Sequence, residues 1–200
     1  MKPNDERIKK GEKTRTNILE AAVFIIAENG LKEVSTAKLA QVAGISKSTI
    51  FHHFRSSDEV LTCTLAFIYE KLLQTMVVKE NYSDAEHFFD VLGQSMFQGT
   101  RDHLTYFKAF SSFSHESLFN SNYRTIMASY ADQMNRFFRT QLSKLASTSV
   151  PSETIEAVSS MLLPLMDGIG FHFLLTNNGG KYEQIWAMQK RVMLQMLDQS

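Results

Sequence analysis

An apolar residue returns every three or four positions through almost the whole chain, and three prolines in 200 residues leave few places to interrupt it. No stretch alternates apolar and polar residues at the two-residue period of a half-buried strand, and there is no internal repeat or low-complexity tract. The expected fold class is therefore all-α, with about nine helices.

The punctuation between helices is readable. Ile18, Leu19, Ala22, Val23, Ile26 and Ala27 form one apolar stripe that stops at Asn29-Gly30. Ser35 is placed to cap a short helix over Thr36 to Ala43, Gly44-Ile45 turns the chain, and Ser46 caps another over Lys47 to Phe54. Ser56 and Glu59 make a capping box for a long fourth helix that runs to about Val78. Ser83 with Glu86 opens the fifth. The sixth covers His103 to His115, and the seventh runs from Tyr123 through Phe137 and Phe138 to Leu142. Ser152 caps the eighth, which is apolar on more than one side and so must be covered on more than one side. Pro164 is expected to kink it, and Tyr182 to Leu197 form the ninth.

Charge is unevenly placed. Ten basic residues stand against six acidic ones up to Ser57, and eleven against fifteen afterwards, so a head of +4 precedes a body of −4. That is the footprint of a nucleic-acid-binding module joined to something else, although solvated faces alone can produce it. The single Cys63 excludes a disulfide framework and a cysteine-rich zinc site. No uninterrupted apolar run approaches the ~20 residues of a membrane span, and the N-terminal MKPNDERIKKGEK has no apolar segment behind its charges. These features point to a cytoplasmic protein with no membrane partner.

Residues 35–54 read STAKLAQVAGISKSTIFHHF: a helix, a tight glycine turn, and a second helix exposing Lys47, Ser48, Thr49, His52 and His53. This is the layout of a helix-turn-helix, which sets its second helix in the DNA major groove. Lys donates to guanine O6 and N7, Thr offers a hydroxyl and a methyl, and His bonds phosphate. The alternative is an ordinary helical hairpin with a polar outer face.

Residues 14–61 resemble the DNA-binding head of the tetracycline-repressor (TetR) family of bacterial transcription regulators. The likeness is carried by the first helix ending in Asn29-Gly30, then Ser35-Thr36, Leu39-Ala40, Ala43-Gly44-Ile45-Ser46, Thr49-Ile50-Phe51, His53-Phe54 and Asp58-Glu59-Val60-Leu61. Asp167-Gly168-Ile169-Gly170 is similar to the small-residue stretch in that family's dimerisation helix. The resemblance implies a head over residues 1–56, with a basic N-terminal arm, and a ligand-binding and dimerisation domain over 57–200. It implies that Ser35 and Thr36 bond a phosphate. Lys47, Ser48 and Thr49 would then meet base edges, with Phe51, His52 and His53 lining the backbone and Ser57 at the start of the fourth helix. Phe51 stands where the family usually has a Tyr, Ser57 where a phosphate-clamping Lys is common, and Ser48 where Gly is frequent. A larger share of the affinity is therefore expected from Lys9, Lys10, Lys13 and Arg15 of the arm.

Nine of the ten Met and most aromatic residues follow Ser57. Phe88, Met96, Phe107, Phe110 and Phe113 fall on faces expected to point inward, as do Met127, Tyr130, Met134, Met161, Met166 and Phe171. Core filling explains each one singly. Together, and with the resemblance, they suggest a pocket for an apolar or aromatic ligand, with His103, His115, His172, Asn177 and Asn178 as candidate polar groups. Leu165, Gly168 and Ile169 of the eighth helix and Trp186 and Met193 of the ninth are expected to form a four-helix interface with a second copy. The function so implied is a homodimeric repressor that binds a palindromic double-stranded DNA operator and is released by a ligand. The alternative is a ligand-independent regulator whose C-terminal domain only dimerises. The chain has no His-Glu-x-x-His, Gly-x-Ser-x-Gly, glycine-rich phosphate loop or inward carboxylate cluster, so no enzyme, cofactor or metal is expected.

Overall fold

The computed structural model describes residues 3–77, 81–97, 101–176 and 178–198. Among these residues there are nine α-helices and no strand. They are α1 (Pro3–Asn29), α2 (Thr36–Ala43), α3 (Lys47–His53), α4 (Ser57–Val77), α5 (Ala85–Phe97), α6 (Arg101–Ser117), α7 (Ser121–Leu145), α8 (Ser152–Thr176) and α9 (Gly179–Asp198), with one 3₁₀ turn at Leu31–Glu33.

The chain divides into two compact units, with α4 and α7 each contributing to both. The first comprises Met1–Leu72 and Asp102–Ile126. Its axis is the second half of α1, where Ile18, Ala22, Ile25 and Ile26 are completely or almost completely buried. Between Ile18 and Ala27 only Glu20 and Phe24 are exposed, because the helix is covered on more than one side. Leu39 of α2, Ile50 of α3, Phe54 at the end of α3, Val60, Leu65 and Ile68 of α4, and Ala109 and Phe113 of α6 complete this core. Lys108 of α6 pairs with Glu28 of α1 at 3.3 Å on the surface.

The second unit comprises Leu73–Arg101 and Met127–Ser200. Phe88 meets Phe137 and Phe138 at ring-centroid distances of 6.3 and 6.2 Å. Trp186 of α9 is buried, and its indole N–H donates to the Phe89 carbonyl of α5 at 3.2 Å. Lys190 of α9 bonds Glu86 at 3.1 Å and Asp90 at 2.7 Å, closing α9 onto α5. These two acceptors hold the Lys190 ammonium above its ordinary pKa, the Asp90 bond chiefly.

Four local expectations are corrected. Asp84, not Ser83, caps α5: its carboxylate accepts the His87 backbone N–H at 2.7 Å, which also draws its pKa below the usual range. Helix α8 already includes Ser152, with Pro151 O accepting the Thr154 N–H at 3.0 Å. Asn120 caps α7 and Asn178 caps α9, so both helices begin earlier than their apolar stripes. Although it holds no unbroken apolar run of membrane-spanning length, helix α8, which spans Pro164, is by length and composition apolar enough to cross a membrane. Val158, Leu162, Leu163, Met166 and Ile169 are nevertheless buried inside the second unit, as in the core helix of a globular domain.

A Cβ added at Gly93 would lie 2.4 Å from Trp186 Nε1 and 2.7 Å from Cδ1, atoms of a rigid ring already held by its hydrogen bond. At Gly11, within α1, nothing lies within 4 Å of the added atom. Gly93→Ala is therefore expected to destabilise the protein by about 1–3 kcal/mol, and Gly11→Ala to stabilise it by about 0.5–1 kcal/mol. Urea unfolding of the two variants checks both signs.

Candidate nucleic-acid interface

Helices of eight and seven residues hold their shape here through their ends. Ser35 Oγ accepts the Lys38 N–H at 3.3 Å at the start of α2. Gly44 closes α2 in the left-handed region, at φ 65°, where a side chain is strained, and Ile45 N–H bonds Ala40 O at 3.0 Å. Ser46 then caps α3: its Oγ accepts the Thr49 N–H at 3.1 Å and bonds the hydroxyls of Ser48 at 2.7 Å and Thr49 at 2.8 Å. At the next corner Ser56 Oγ accepts the Glu59 N–H at 3.1 Å, while Glu59 accepts the Arg55 N–H at 2.6 Å. The expected capping box is present, with the reciprocal bond made one residue earlier.

This frame turns Ser35, Lys47, Ser48, Phe51 and His52 to the outside, with Thr36, Thr49, His53 and Ser57 half-buried beside them. Phe51 is 59% exposed, an uncommon position for a phenyl ring that makes no core contribution. The Ser48 and Thr49 hydroxyls are already oriented by Ser46, so neither swings freely. His53 titrates below its ordinary value because it is partly desolvated and lies near His52 and Arg15. Lys9, Lys10 and Lys13 are exposed, but Arg15 is not part of a free basic arm. Its guanidinium donates to His53 O at 2.9 Å and to Cys63 Sγ at 3.1 Å, inside the first unit. The same geometry identifies Asn17, whose side-chain N–H bonds Ala43 O at 3.0 Å and pins the end of α2 to α1. The stripe argument overlooks it because Asn17 is polar and lies beside the apolar positions.

Residues 18–62 match the family model described as bacterial regulatory proteins, tetR family. Over these residues the chain is similar to that family's DNA-binding segment. The chain is 34% identical over 61 residues to the HTH-type transcriptional regulator PksA of Bacillus subtilis, which covers 30% of each chain. Across the curated relatives it matches, the chain spans less than half of their length. The whole-chain fold is that of solved regulators. A transcriptional regulator from Rhodococcus sp. Rha1 superposes with a TM-score of 0.79 at 19% identity, covering 93% of this chain and 98% of that one. One from Saccharomonospora viridis, solved in complex with choline, gives 0.71 at 20% identity over 88% and 94%.

The residues expected to line a ligand pocket are divided between the units. Phe107, Phe110 and Phe113 belong to the first, and Phe88, Met96, Met127, Tyr130, Met134 and Met166 to the second. All of these are buried or half-buried. Met161 (39% exposed) and Phe171 (46%) instead lie on the outer side of α8, because a helix this apolar cannot bury its whole circumference in one unit. Of the expected interface residues, Gly168 is exposed and Leu165 half-buried, whereas Ile169, Trp186 and Met193 are buried in the chain's own core. His115 and His172 are exposed, Asn178 is consumed as a cap, and the His103 side chain and Asn177 lie outside the described residues. A cleft of about 260 Å³ opens between α5 and α9, lined by Asp90, Gly93, Gln94, Phe97, Glu183 and Trp186.

Asp167 carries the charge that the apolar pattern of α8 conceals. Burial raises its carboxyl to about 6, and Tyr130 is pushed up by its own burial and then by this neighbouring charge. An acid with a folded-state pKa above its unfolded one costs stability once ionised. That cost is present above pH ~6 and gone below pH ~4. The protein is expected to gain stability as pH falls from 7 to about 4.5 on this account. Asp167→Asn should remove that gain and add about 1–3 kcal/mol at pH 7, read from urea midpoints at the two pH values.

Proposed function

We propose that this protein is a DNA-binding transcriptional regulator of the cytoplasm, acting as a homodimeric repressor on a palindromic operator and released by a small, largely apolar ligand. The observation that carries the reading is the fully capped α2–turn–α3 unit, which sets Lys47, Ser48, Phe51 and His52 on one outer face within the tetR-family match. In this reading residues 1–56 are the DNA-binding head and 57–200 the ligand-binding and dimerisation domain. Ser35, Thr36 and Ser57 receive phosphates, Lys47 with Ser48 and Thr49 reads bases, and no catalytic step is involved.

A two-fold operator calls for a two-fold reader, and α8 supplies a face for it. Met161, Gly168, Phe171 and Leu175 recur at helical spacing on its exposed side, and Met188 and Val192 do the same on α9. This stripe replaces Ile169, Trp186 and Met193 as the contact surface. The ligand would enter among the aromatic and Met side chains of the body. Asp167, and Asn135, whose buried Oδ1 has no hydrogen-bond partner among the described residues, favour a ligand that also bears a donor or a positive charge. The choline complex of the Saccharomonospora viridis regulator agrees with that preference.

Selection from a random DNA pool tests the reading. A palindromic consensus is expected, and the absence of any enriched sequence would overturn it. Lys47→Ala should relax discrimination at one or two base pairs per half-site, by about 1–3 kcal/mol. Changing Lys9 and Lys10 together should weaken all sequences alike and flatten the salt dependence.

Among the described residues, nothing outside the adjoining backbone of α8 lies within 4 Å of a Cβ placed at Gly168. Gly168→Leu should therefore leave the monomer folded and abolish the dimer, with a matching loss of operator affinity. Sedimentation of an intact dimer would place the interface elsewhere.

A further inference from the structure

Arg15 lies in the middle of α1, one helix away from the face proposed to read DNA. Its planar guanidinium is nevertheless committed in three directions. One N–H donates to the backbone carbonyl of His53 at 2.9 Å, another points to Cys63 Sγ at 3.1 Å, and the flat face lies 4.2 Å from the centroid of the Phe54 ring. His53 is the last residue of α3 and Phe54 is its C-cap, 2% exposed. Cys63 belongs to α4. A single side chain of α1 therefore holds the end of the recognition helix and the helix that follows it.

The chemistry suits that place. The final carbonyls of a helix lack partners within it, and a cation there also meets the negative end of the helix dipole. A seven-residue helix has almost no stability of its own, so its direction is set by what holds its two ends. Its start is fixed by the Ser46 cap and, through the turn, by Asn17 on the end of α2. Its finish is fixed by Arg15. Arg15 and Asn17 stand two residues apart on α1, so one short stretch of that helix fixes both halves of the helix-turn-helix.

We infer that Arg15 is a positioning residue for DNA recognition, which sets the direction of α3 from behind, and that it is not a phosphate contact of the basic arm. The inference rests on the DNA-binding reading above. It separates Arg15 from Lys9, Lys10 and Lys13, which are exposed and can meet phosphate. Lysine cannot replace it, because an ammonium lacks the fork that reaches a carbonyl and a sulfur while stacking on a ring.

The test uses the full chain, the palindrome selected by the unaltered protein, and random-sequence DNA of equal length. Arg15→Met and Arg15→Lys are each expected to lose at least about tenfold in affinity for the palindrome. Affinity for random DNA and the slope of log affinity against log salt should stay at the unaltered values. The Lys9→Ala, Lys10→Ala double variant should reduce that slope by about 0.9 for each phosphate no longer neutralised, with specificity unchanged. If Arg15→Met lowered the slope and weakened both DNAs equally, or if Arg15→Lys restored full affinity, Arg15 would be a phosphate contact and the inference overturned. Unchanged palindrome affinity in Arg15→Met would overturn it while leaving the DNA-binding reading intact. Loss of the folded state in both variants, seen by circular dichroism at about 20 °C, would also overturn it, since a positioning role requires a head that persists without the guanidinium. If the unaltered protein enriched no sequence, the DNA-binding reading would fail and this inference with it.

Discussion

Burial of the apolar run from Ile18 to Ala27 on α1 is the constraint on which the first unit depends. Each fully buried aliphatic side chain there contributes roughly 1.5–3 kcal/mol relative to exposure. Helices α2 and α3 bring one such residue each, Leu39 and Ile50, and are too short to persist alone. They exist as helices because α1 offers a surface to dock on and because their ends are satisfied by Ser35, Gly44 and Ser46. The polar face they present is thus a by-product of an apolar face they bury. That is why two helices with little stability of their own can display polar side chains at a fixed geometry.

The same helix also directs what it supports. Asn17 and Arg15 sit on α1 just before the buried run, where the helix is rigid but its side chains still reach outward. Hydrogen bonds from such a position are directional and cannot be satisfied by a slightly rotated hairpin. Apolar contact supplies the holding energy in the first unit, and two polar side chains supply the angle.

In the second unit the corresponding device is the close approach of α5 and α9. Gly93 leaves room for the Trp186 ring, the Phe89 carbonyl accepts its N–H, and Lys190 closes the outer edge on Glu86 and Asp90. Trp186 is therefore packed within the second unit, and Met161, Phe171 and Leu175 of α8 and Met188 and Val192 of α9 are exposed. Within this interior Asp167 is a carboxyl whose pKa is raised by burial, and the buried Asn135 Oδ1 has no hydrogen-bond partner among the described residues. Groups of this kind cost stability in any protein that does not use them.

Much of this is legible in the order of residues. The helical period, the capping serines, the Asn29-Gly30 stop and the Gly44 turn are local features, and each is decided within a few neighbours along the chain. They establish an all-α fold, the position of the helix-turn-helix and its exposed residues. Which side of a helix finds a partner is a different kind of fact. A pattern such as that of α8 shows that most of its circumference is apolar, but not which part its own protomer covers. From that pattern Met161 and Phe171 look interior and Trp186 looks like interface, whereas in the folded chain Met161 and Phe171 are exposed and Trp186 is buried. Arg15 looks like one more cation in a basic arm, because sequence displays charge and only tertiary structure reveals that a carbonyl, a thiol and a ring converge on it. Burial and hydrogen-bond direction depend on residues distant in the chain, and for that physical reason the fold class came from the sequence and the roles of Arg15, Asp167 and Trp186 from the folded structure.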